Sequence, residues 1–358
     1  MQKKVLLTGA SGTVGFEVLK ELLRRDQYAI RILSLDRDFE RQLFSQYQDN
    51  LEVIWGDIRN IQDVRKAVNG TGVDYIIHTA GIIPPLSDQK PGLTQDVNVG
   101  GTENIIRAIQ QEDFPPKLFF TSSISVYGDR LKNPYITVAD PINPGKDDVY
   151  AKSKVNAEEM IKNSGVEWSI FRLCGVLAKK LRIQPLMFHM PLDTALEWCH
   201  PEDVGFALVE AIEHPSVLRN IFNLGGGEKC RIKAGEFLKE VFNIWGLDAR
   251  VLPRHAFAIQ NFHSGYYADS YHLNDLLNFQ KRNLQDYYNQ VRSKVSPFQK
   301  FFLRFVPKNI LKQWLLSMSE PLNAIKKNNE ALIERFYGSR KKFHELIEDT
   351  EKGDISHL

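Results

Sequence analysis

Met1-Gln-Lys-Lys-Val-Leu-Leu-Thr-Gly-Ala-Ser-Gly-Thr-Val-Gly15 opens the chain. Val5, Leu6, Leu7 and Thr8 have the apolar, partly β-branched character of a buried strand. Gly9, Gly12 and Gly15 come next, and Phe16, Val18, Leu19, Leu22 and Leu23 then recur at helical spacing. Strand, glycine turn and helix in this order predict a dinucleotide-binding corner. The first glycine permits the tight turn, the second lets the backbone approach a diphosphate, and the third lets the helix pack on the strand. The helix start then offers unpaired N–H groups and a positive dipole end to phosphate. Ser11, Thr13 and Val14 join the three glycines as candidate cofactor contacts. Glycines alone are compatible with an ordinary turn, so the rest of the chain has to decide.

Outward from this corner, apolar runs alternate with helical stretches. Residues 29–36 (AIRILSLD) predict a second strand, ending in an acid placed to accept hydrogen bonds from a ribose. Asp36 favours NAD, because it would repel the extra phosphate of NADP, whereas Arg37 would attract that phosphate and keeps NADP open. Residues 51–57 (LEVIWGD) predict a third strand, with Asp57 and Ile58 beside an adenine ring and the Asp57 carboxylate facing its amino group. Residues 73–80 (VDYIIHTA) predict a fourth, with Thr79, Ala80 and Gly81 along the ligand. His78, inside that strand, reads as a satisfied structural histidine rather than a catalytic one. Asn98 reads as the opening residue of a helix to about 112, in a capping position. Residues 117–123 (KLFFTSS) predict a fifth strand carrying Thr121 and Ser123 at its end, and 166–175 (VEWSIFRLCG) a sixth, whose Arg172 to Val176 stretch, Leu173 included, lies on the cofactor side. Alternating strands and helices imply right-handed crossovers, hence a Rossmann-type, doubly wound parallel α/β sheet that binds ligands beyond its strands' carboxyl ends.

Composition bounds this reading. A chain of 358 residues can bury a full core, and its +2 net charge gives no global sign of nucleic-acid binding. Cys174, Cys199 and Cys230 are odd in number and sit in apolar contexts, so they read as reduced thiols of a cytoplasmic protein, not disulfides or a metal site. The first strand starts too early for a signal peptide to precede it, and no apolar run has membrane-spanning length.

Tyr150 and Lys154 stand four apart at the start of a predicted helix and therefore share a face. A free phenol has a pKa near ~10, too high for a base at neutral pH. A neighbouring ammonium, helped by an oxidised nicotinamide, is expected to lower it. Tyr150 would then exchange a proton with a substrate hydroxyl while hydride moves to or from nicotinamide; Lys154 would hold the nicotinamide ribose, and Ser123 the substrate oxygen. The bland alternative is a solvated surface pair.

Thr8-Gly9-x-x-Gly12-x-x-Gly15, Asp57-Ile58, His78-Thr-Ala-Gly81, Asn98-Val-Gly-Gly-Thr102, Ser122-Ser-Ile-Ser-Val-Tyr-Gly128 and Tyr150-x-x-x-Lys154 occur in this order and spacing. Together they resemble the extended short-chain dehydrogenase/reductase superfamily, in its NAD-dependent epimerase/dehydratase branch, over about residues 1–290. The resemblance implies NAD(P) in the N-terminal domain, catalysis by Ser123, Tyr150 and Lys154, a supporting role for Asn98 and a substrate that is often a nucleotide sugar.

The second half departs from that pattern. The substrate-binding insertion is short, residues 179–196, and Arg254-His-Ala-Phe stands where nucleotide-sugar enzymes carry an arginine followed by Pro-Gly-Asp. Ser125, Arg219 and Arg254 are the candidate substrate contacts, with Arg231 and Lys180 as further cations for a diphosphate. Ile124-Ser125 replaces the acidic pair of 4,6-dehydratases and disfavours that chemistry. The expected organisation is a cofactor domain over 1–178 to which 197–225 return, a smaller C-terminal substrate lobe of 179–196 and 226–290, and an extra helical tail over 291–358. Residues 296–318 mix aromatics with lysine and arginine and contain no acid, which predicts either a packed helical layer, against the body or another subunit, or a peripheral contact with an anionic membrane. Residues 323–352 read as a charged helical run, solvated or pairing with a partner. The expectation is a cytoplasmic homodimer that uses NAD, or NADP, on the hydroxyl or keto group of a sugar-like substrate, as epimerase or dehydrogenase. Its rivals are an NADP-dependent carbonyl reductase of non-sugar substrates and a non-catalytic scaffold whose tail recruits partners.

Overall fold

In the computed structural model, residues 2–178, 184–248, 252–296, 298 and 307–351 are described. Seven parallel strands make the main sheet in the order β10-β7-β5-β4-β1-β2-β3. They are β1 (Lys3–Thr8), β2 (Tyr28–Ser34), β3 (Leu51–Trp55), β4 (Tyr75–His78), β5 (Lys117–Ser123), β7 (Trp168–Leu173) and β10 (Ile221–Leu224). The order reverses at β1, which pairs with β2 on one side (Val5 opposite Ile30) and β4 on the other (Val5 opposite Tyr75). Side chains alternate between two buried layers, as the period-2 geometry of a strand requires. Val5, Leu7, Ile32, Ile77, Phe119 and Phe171 enter one, and Leu6, Leu33, Ile76, Leu118, Phe120 and Ile170 the other. Burial on both faces explains why these strands read as continuous apolar runs.

Helices cover both faces: α1 (Thr13–Arg25), α2 (Asp38–Phe44), α3 (Ile61–Val68), α4 (Gly101–Ile109), α5 (Val149–Asn163) and α6 (Pro201–Glu210). Packing between α1 and α6 is so close that a Cβ on Gly205 would meet the Glu17 backbone at 2.7 Å. Two small sheets complete the strands. In one, β9 (Ala195–Cys199) lies between β8 (Gly175–Val176) and β11 (Arg231–Lys233); in the other, β6 (Tyr135–Ile136) pairs with β12 (Tyr266–Tyr267). α7 (Ala234–Trp245), α8 (Ser270–Leu277) and α9 (Leu284–Lys294) follow. A second core joins Leu177, Phe188, Leu196, Phe242, Phe257 and Tyr287.

The C-terminal region forms α10 (Lys308–Ser317), α11 (Glu320–Lys326), α12 (Glu330–Tyr337) and α13 (Arg340–Glu351). Two sequence expectations change here. The charged run over 323–352 is not one helix: Asn328 (φ +52°) and Gly338 (φ +76°) turn the chain, and Phe336, Tyr337 and Phe343 bury themselves with Ala258 in a core of their own. In the aromatic and basic stretch, Leu311 and Leu315 of α10 are buried in the second core, while Ile310 and Trp314 are more than half exposed. Lys300, Phe301, Phe302, Arg304 and Phe305 of that stretch lie outside the described residues. Among the described residues no helix is long and apolar enough to cross a membrane, and no group of three His, Cys, Asp or Glu could hold a metal ion.

Candidate functional site

The glycine corner has the geometry its spacing requires. Gly9 adopts φ +76°, and a Cβ there would sit 2.6 Å from the Ala80 nitrogen. A Cβ on Gly15 would lie 2.1 Å from the Gly9 carbonyl oxygen. Gly12 is different: its nearest neighbour would be that same oxygen at 3.3 Å, and its φ of −78° suits any residue. Gly12 also stands at the N-cap of α1 with no side-chain cap and no acid in the first turn. Among the described residues no side-chain cap is seen at this helix start, and the cradle it forms fits a diphosphate.

At the end of β2 the charges are paired in a way that the strand-end acid alone does not reveal. Asp36 is bound by Arg41 through two bonds of 2.5 and 2.8 Å. Arg37 is held by Glu40, at 2.9 Å through Nε and by a second, shorter bond. Glu40 is buried and also accepts from Ser11 of the glycine loop at 3.3 Å. Sequence reading missed Glu40; its i+3 spacing from Arg37 was the available signal. The Asp57 carboxylate does not stand free for an adenine amino group. Arg59 takes it through its backbone N–H at 2.9 Å and its guanidinium at 2.6 Å, on the wall of an open polar depression shared with Asp96, Glu103 and Asn104. Ile58 is buried against Gly101.

Ser123, Tyr150 and Lys154 come together at the carboxyl rim of the sheet. Ser123 ends β5; its hydroxyl accepts from the Ser125 N–H at 3.1 Å and lies near enough to the Tyr150 phenol to favour its ionised form. Tyr150 is the second residue of α5, whose first turn is capped by Asp148 accepting from the Ala151 N–H at 2.8 Å. Lys154, one turn on, is buried, donates to the Thr121 carbonyl at 2.8 Å and lies 5.9 Å from the centre of the Tyr150 ring. Burial pushes the Lys154 ammonium down to about 8, against the pull of Glu158. Burial also pushes the Tyr150 phenol up to about 12; the nearby Ser123 hydroxyl opposes this and the Asp148 charge adds to it. The expected lowering of the phenol is therefore absent in this state, because its ammonium neighbour is turned to a backbone carbonyl while desolvation penalises phenolate.

Around this group the polar side chains are shared out. His78 is fully buried between the Thr8 hydroxyl (2.7 Å) and the Thr102 hydroxyl (3.1 Å). Burial, reinforced by the Lys154 charge, pushes it down to about 3, which agrees with a structural histidine. Asn98 neither opens a helix nor caps one. It sits within a π-helical segment, Gln95–Gly100, leading into α4, because the preceding loop already enters helical backbone. Its amide is spent inside the protein, accepting from the Ile82 N–H at 2.7 Å and donating to the Ile82 carbonyl and to Ser153. It supports the loop beyond β4 and α5 rather than presenting itself to a ligand. Thr79 and Thr121 hydroxyls bond the Thr8 and His78 carbonyls, leaving Ala80 and Gly81 as the backbone edge. Gly81 lies close to Asn98 and Lys154.

Other candidates lie elsewhere. Arg219 adopts φ +60° and its backbone bonds the carbonyl of Trp168, the first residue of β7. In a parallel sheet that is the amino-end rim, opposite the site, so Arg219 is not a substrate contact. Arg254 is committed to Asp193, and Arg231 to the buried Glu197 at 3.0 Å. Lys180 falls outside the described residues. Leu173 is buried at the end of β7, and Val176 is half-buried in β8 opposite Cys199. Ser125 is fully buried with no partner for its hydroxyl, two residues past Ser123. Arg172, placed on the cofactor side by sequence, instead grips Glu158 with bonds of 3.0 and 2.6 Å and donates to the Tyr127 hydroxyl at 2.7 Å. Glu158 also accepts from Ser122, while Tyr127 continues to Asn223 and then Asp269. This buried network stands one helical turn behind Lys154, and the i+4 position of Glu158 was the one hint of it.

A nucleotide-type cradle at the switch point of a parallel sheet, with a serine, tyrosine and lysine at the same rim, defines the class by fold: a dinucleotide-binding α/β architecture. The comparisons agree. The sequence model of the 3-beta hydroxysteroid dehydrogenase/isomerase family matches residues 6–170. The chain is 28% identical to a UDP-glucose 4-epimerase of Pisum sativum over 184 residues, 48% of this chain and 51% of that protein. It is 30% identical to the mouse (Mus musculus) 3 beta-hydroxysteroid dehydrogenase type 7 over 171 residues, 44% of this chain and 43% of that one. The chain thus spans about half the length of the curated relatives it matches. Among solved structures, UDP-glucuronic acid 4-epimerase from Bacillus cereus superposes with a TM-score of 0.66 at 18% identity, covering 82% of this chain and 98% of that one. UDP-glucose 4-epimerase from Bifidobacterium longum gives 0.67 at 18%, covering 84% and 100%. Over residues 6–170 the chain is therefore similar to the 3-beta hydroxysteroid dehydrogenase/isomerase family, and over about half its length to nucleotide-sugar epimerases.

Proposed function

We propose that this chain is a cytoplasmic NAD-dependent oxidoreductase or epimerase that works on a hydroxyl or keto group of a sugar-like substrate, with a nucleotide sugar as one form of it. The observation that carries the reading is the convergence at the carboxyl rim of Ser123, Tyr150 and the buried Lys154, 5.9 Å from the Tyr150 ring, on the same rim as the open α1 cradle. NAD, which B. cereus UDP-glucuronic acid 4-epimerase and B. longum UDP-glucose 4-epimerase hold, supplies hydride acceptance and return when bound. Its diphosphate would lie on Gly9, Gly12 and Thr13, and its ribose against Asp36. The buried Glu40, which holds Arg37 beside Ser11, adds a second acid where the extra phosphate of NADP would go. Ser123 donates to the substrate oxygen and orients it. Tyr150 takes the proton from that oxygen in the oxidising direction and gives it back in reduction. Lys154 is the cation placed to favour phenolate, and its burial keeps that influence strong.

The test pairs binding with turnover. Tyr150→Phe retains NAD+ affinity and loses turnover about 10²–10⁴-fold; unchanged turnover refutes the assignment, and absence of NAD(H) binding by the wild type removes the reading altogether. A second reading, a dehydrogenase of non-sugar alcohols, is favoured by the steroid-dehydrogenase family match over residues 6–170. A screen of both substrate classes, following the reduced-nicotinamide band and isomer interconversion separately, distinguishes them. We further propose a homodimer. The exposed Ile310 and Trp314 of α10 beside Lys312 would contact a second copy or an anionic membrane surface.

A further inference from the structure

Three acidic residues stand on three different segments around the rim that carries Tyr150. Asp88 lies in a short helical turn (Leu86–Gln89) beyond β4, Asp129 follows Gly128 beyond β5, and Asp148 caps the helix that carries Tyr150. All three are met by the C-terminal helices or by the strap, residues 259–263, that these helices hold. The strap is stitched to the end of α12 by consecutive bonds. The Ile259 N–H donates to the Phe336 carbonyl at 2.9 Å, Gln260 Nε2 to the Glu334 carbonyl at 2.9 Å, and Asn261 Nδ2 to the Arg335 carbonyl at 2.7 Å. These are the last carbonyls of a helix, which need partners from outside it. From its other edge the strap reaches the rim: the Asn261 N–H donates to Asp129 at 2.6 Å, and His263 Nδ1 pairs with Asp148 at 2.6 Å. Arg335 itself bonds Asp88 at 3.2 Å, and its charge acts on Asp148.

We propose that the C-terminal helices are a working part of the cleft, with His263 as the positioning residue that holds the Asp148 carboxylate on the turn carrying Tyr150, and Arg335, bonded to Asp88, as an outer cation beside it; this rests on the catalytic reading of Tyr150. Asp148 uses one oxygen to cap the turn on which Tyr150 sits and the other to hold His263. Although burial works against it, His263, the Ala151 N–H and Arg335 hold the Asp148 carboxyl below its usual range. The carboxylate is bonded by the Ala151 N–H and by His263 from the strap, and it interacts electrostatically with Arg335 from α12 and with the Tyr150 phenol on its own helix. An uncompensated carboxylate beside a phenol opposes ionisation of the phenol. His263 bonds that carboxylate and the Arg335 guanidinium offsets its charge, so the extension adjusts the proton affinity of a group it never touches.

The experiment follows Tyr150 directly. Full-length protein carrying tyrosine labelled with carbon-13 at Cζ is saturated with NAD+, and the Tyr150 signal is identified by its loss in Y150F. The expected result is that Arg335→Gln and His263→Gln each raise the midpoint of the Tyr150 titration by about half a pH unit or more, roughly threefold in proton affinity. Arg335→Lys restores most of it. Asp148→Asn, which still caps the helix, lowers the midpoint and abolishes the effect of R335Q in the double variant. Wild-type midpoints in R335Q and H263Q with NAD+ bound overturn the inference and leave the catalytic reading intact, as does an R335Q effect that survives D148N. Failure of the wild type to bind NAD+ overturns both.

Discussion

Replacing Lys154 by methionine separates what the ammonium costs from what it does. Methionine has similar length, no charge and no need for solvent. In the wild type, burial lowers the ammonium from 10.5 to about 8. At about 1.4 kcal/mol per pKa unit, holding the charge inside costs about 3 kcal/mol of stability at neutral pH. Between the native value and the unfolded one, the unfolded chain binds a proton that the native state does not, so wild-type stability rises with pH through that window. Below about pH 8 both states are protonated and the penalty is fully present. Lys154→Met has no such window. It loses the bond to the Thr121 carbonyl, which leaves a buried acceptor unpaired at about 1–3 kcal/mol. The variant should therefore match or exceed the wild type in stability near pH 7 and fall below it near pH 10, with the difference moving by about 3 kcal/mol across that range. Urea unfolding of both cofactor-free proteins at a series of pH values measures this, and titrations of groups that Lys154 does not influence cancel in the difference. Parallel stability curves would refute the argument that Lys154 is a buried cation held against its solvation preference.

Gly12→Ala should leave the melting temperature within a few degrees and weaken NAD+ binding at least about tenfold, because its Cβ meets only the Gly9 oxygen at 3.3 Å yet fills the cradle; calorimetric titration beside a melt checks both. Gly15→Ala, with a Cβ 2.1 Å from the same oxygen, should instead destabilise the fold by about 1–3 kcal/mol or more, visible as a shifted urea midpoint. Arg172→Met leaves the Glu158 carboxylate buried and unpaired, at a cost of about 3–5 kcal/mol, and Glu158→Gln in the same chain should recover part of it; denaturant midpoints of the single and double variants decide. For α10, co-sedimentation with vesicles containing anionic lipid should fall on Trp314→Ser and with added salt, and sizing of the same variant reports on a second copy; if neither measurement changes, the exposed face makes neither contact.

The glycine corner was legible because only glycine fits there: Gly9 and Gly15 are confined by backbone atoms of other segments, so the spacing carries the three-dimensional constraint. The parallel sheet was legible for a related reason, since strands buried on both faces spell continuous apolar runs. The expected strand 117–123 coincides with Lys117–Ser123. Charge pairing was much less legible. Arg172, Arg219 and Arg254 look alike in sequence, yet one is buried on Glu158, one sits at the far rim and one bonds Asp193. Partner choice among long side chains depends on which segments meet, and a one-dimensional pattern does not encode that. The C-terminal charged run failed in the same way. Its turns at Asn328 and Gly338 and its buried Phe336 and Tyr337 make sense only once Ala258 supplies the surface they pack on.

The two halves of the site are joined by a buried chain of polar groups whose proton directions can be assigned. Ser153 donates to the Tyr150 carbonyl at 2.7 Å, and Asn98 donates to Ser153 at 2.9 Å. Thr102 gives its hydroxyl proton to the Asn98 carbonyl at 2.6 Å, so it can only accept from His78, which must carry its proton on Nε2. Nδ1 is then the acceptor for the Thr8 hydroxyl, at the end of the strand that leads into the glycine corner. One neutral histidine tautomer thus makes every donor in the chain find an acceptor. Protonating His78 would set two donors against the Thr8 hydroxyl's own donation and place a second cation near Lys154, which is why burial and that neighbour both drive it to the neutral form. Since leaving any one of these buried groups unpaired costs about 1–3 kcal/mol, the glycine corner and the first turn of the catalytic helix are held in register by the same few atoms. A cradle for a dinucleotide and the phenol that must meet its far end would drift apart without them.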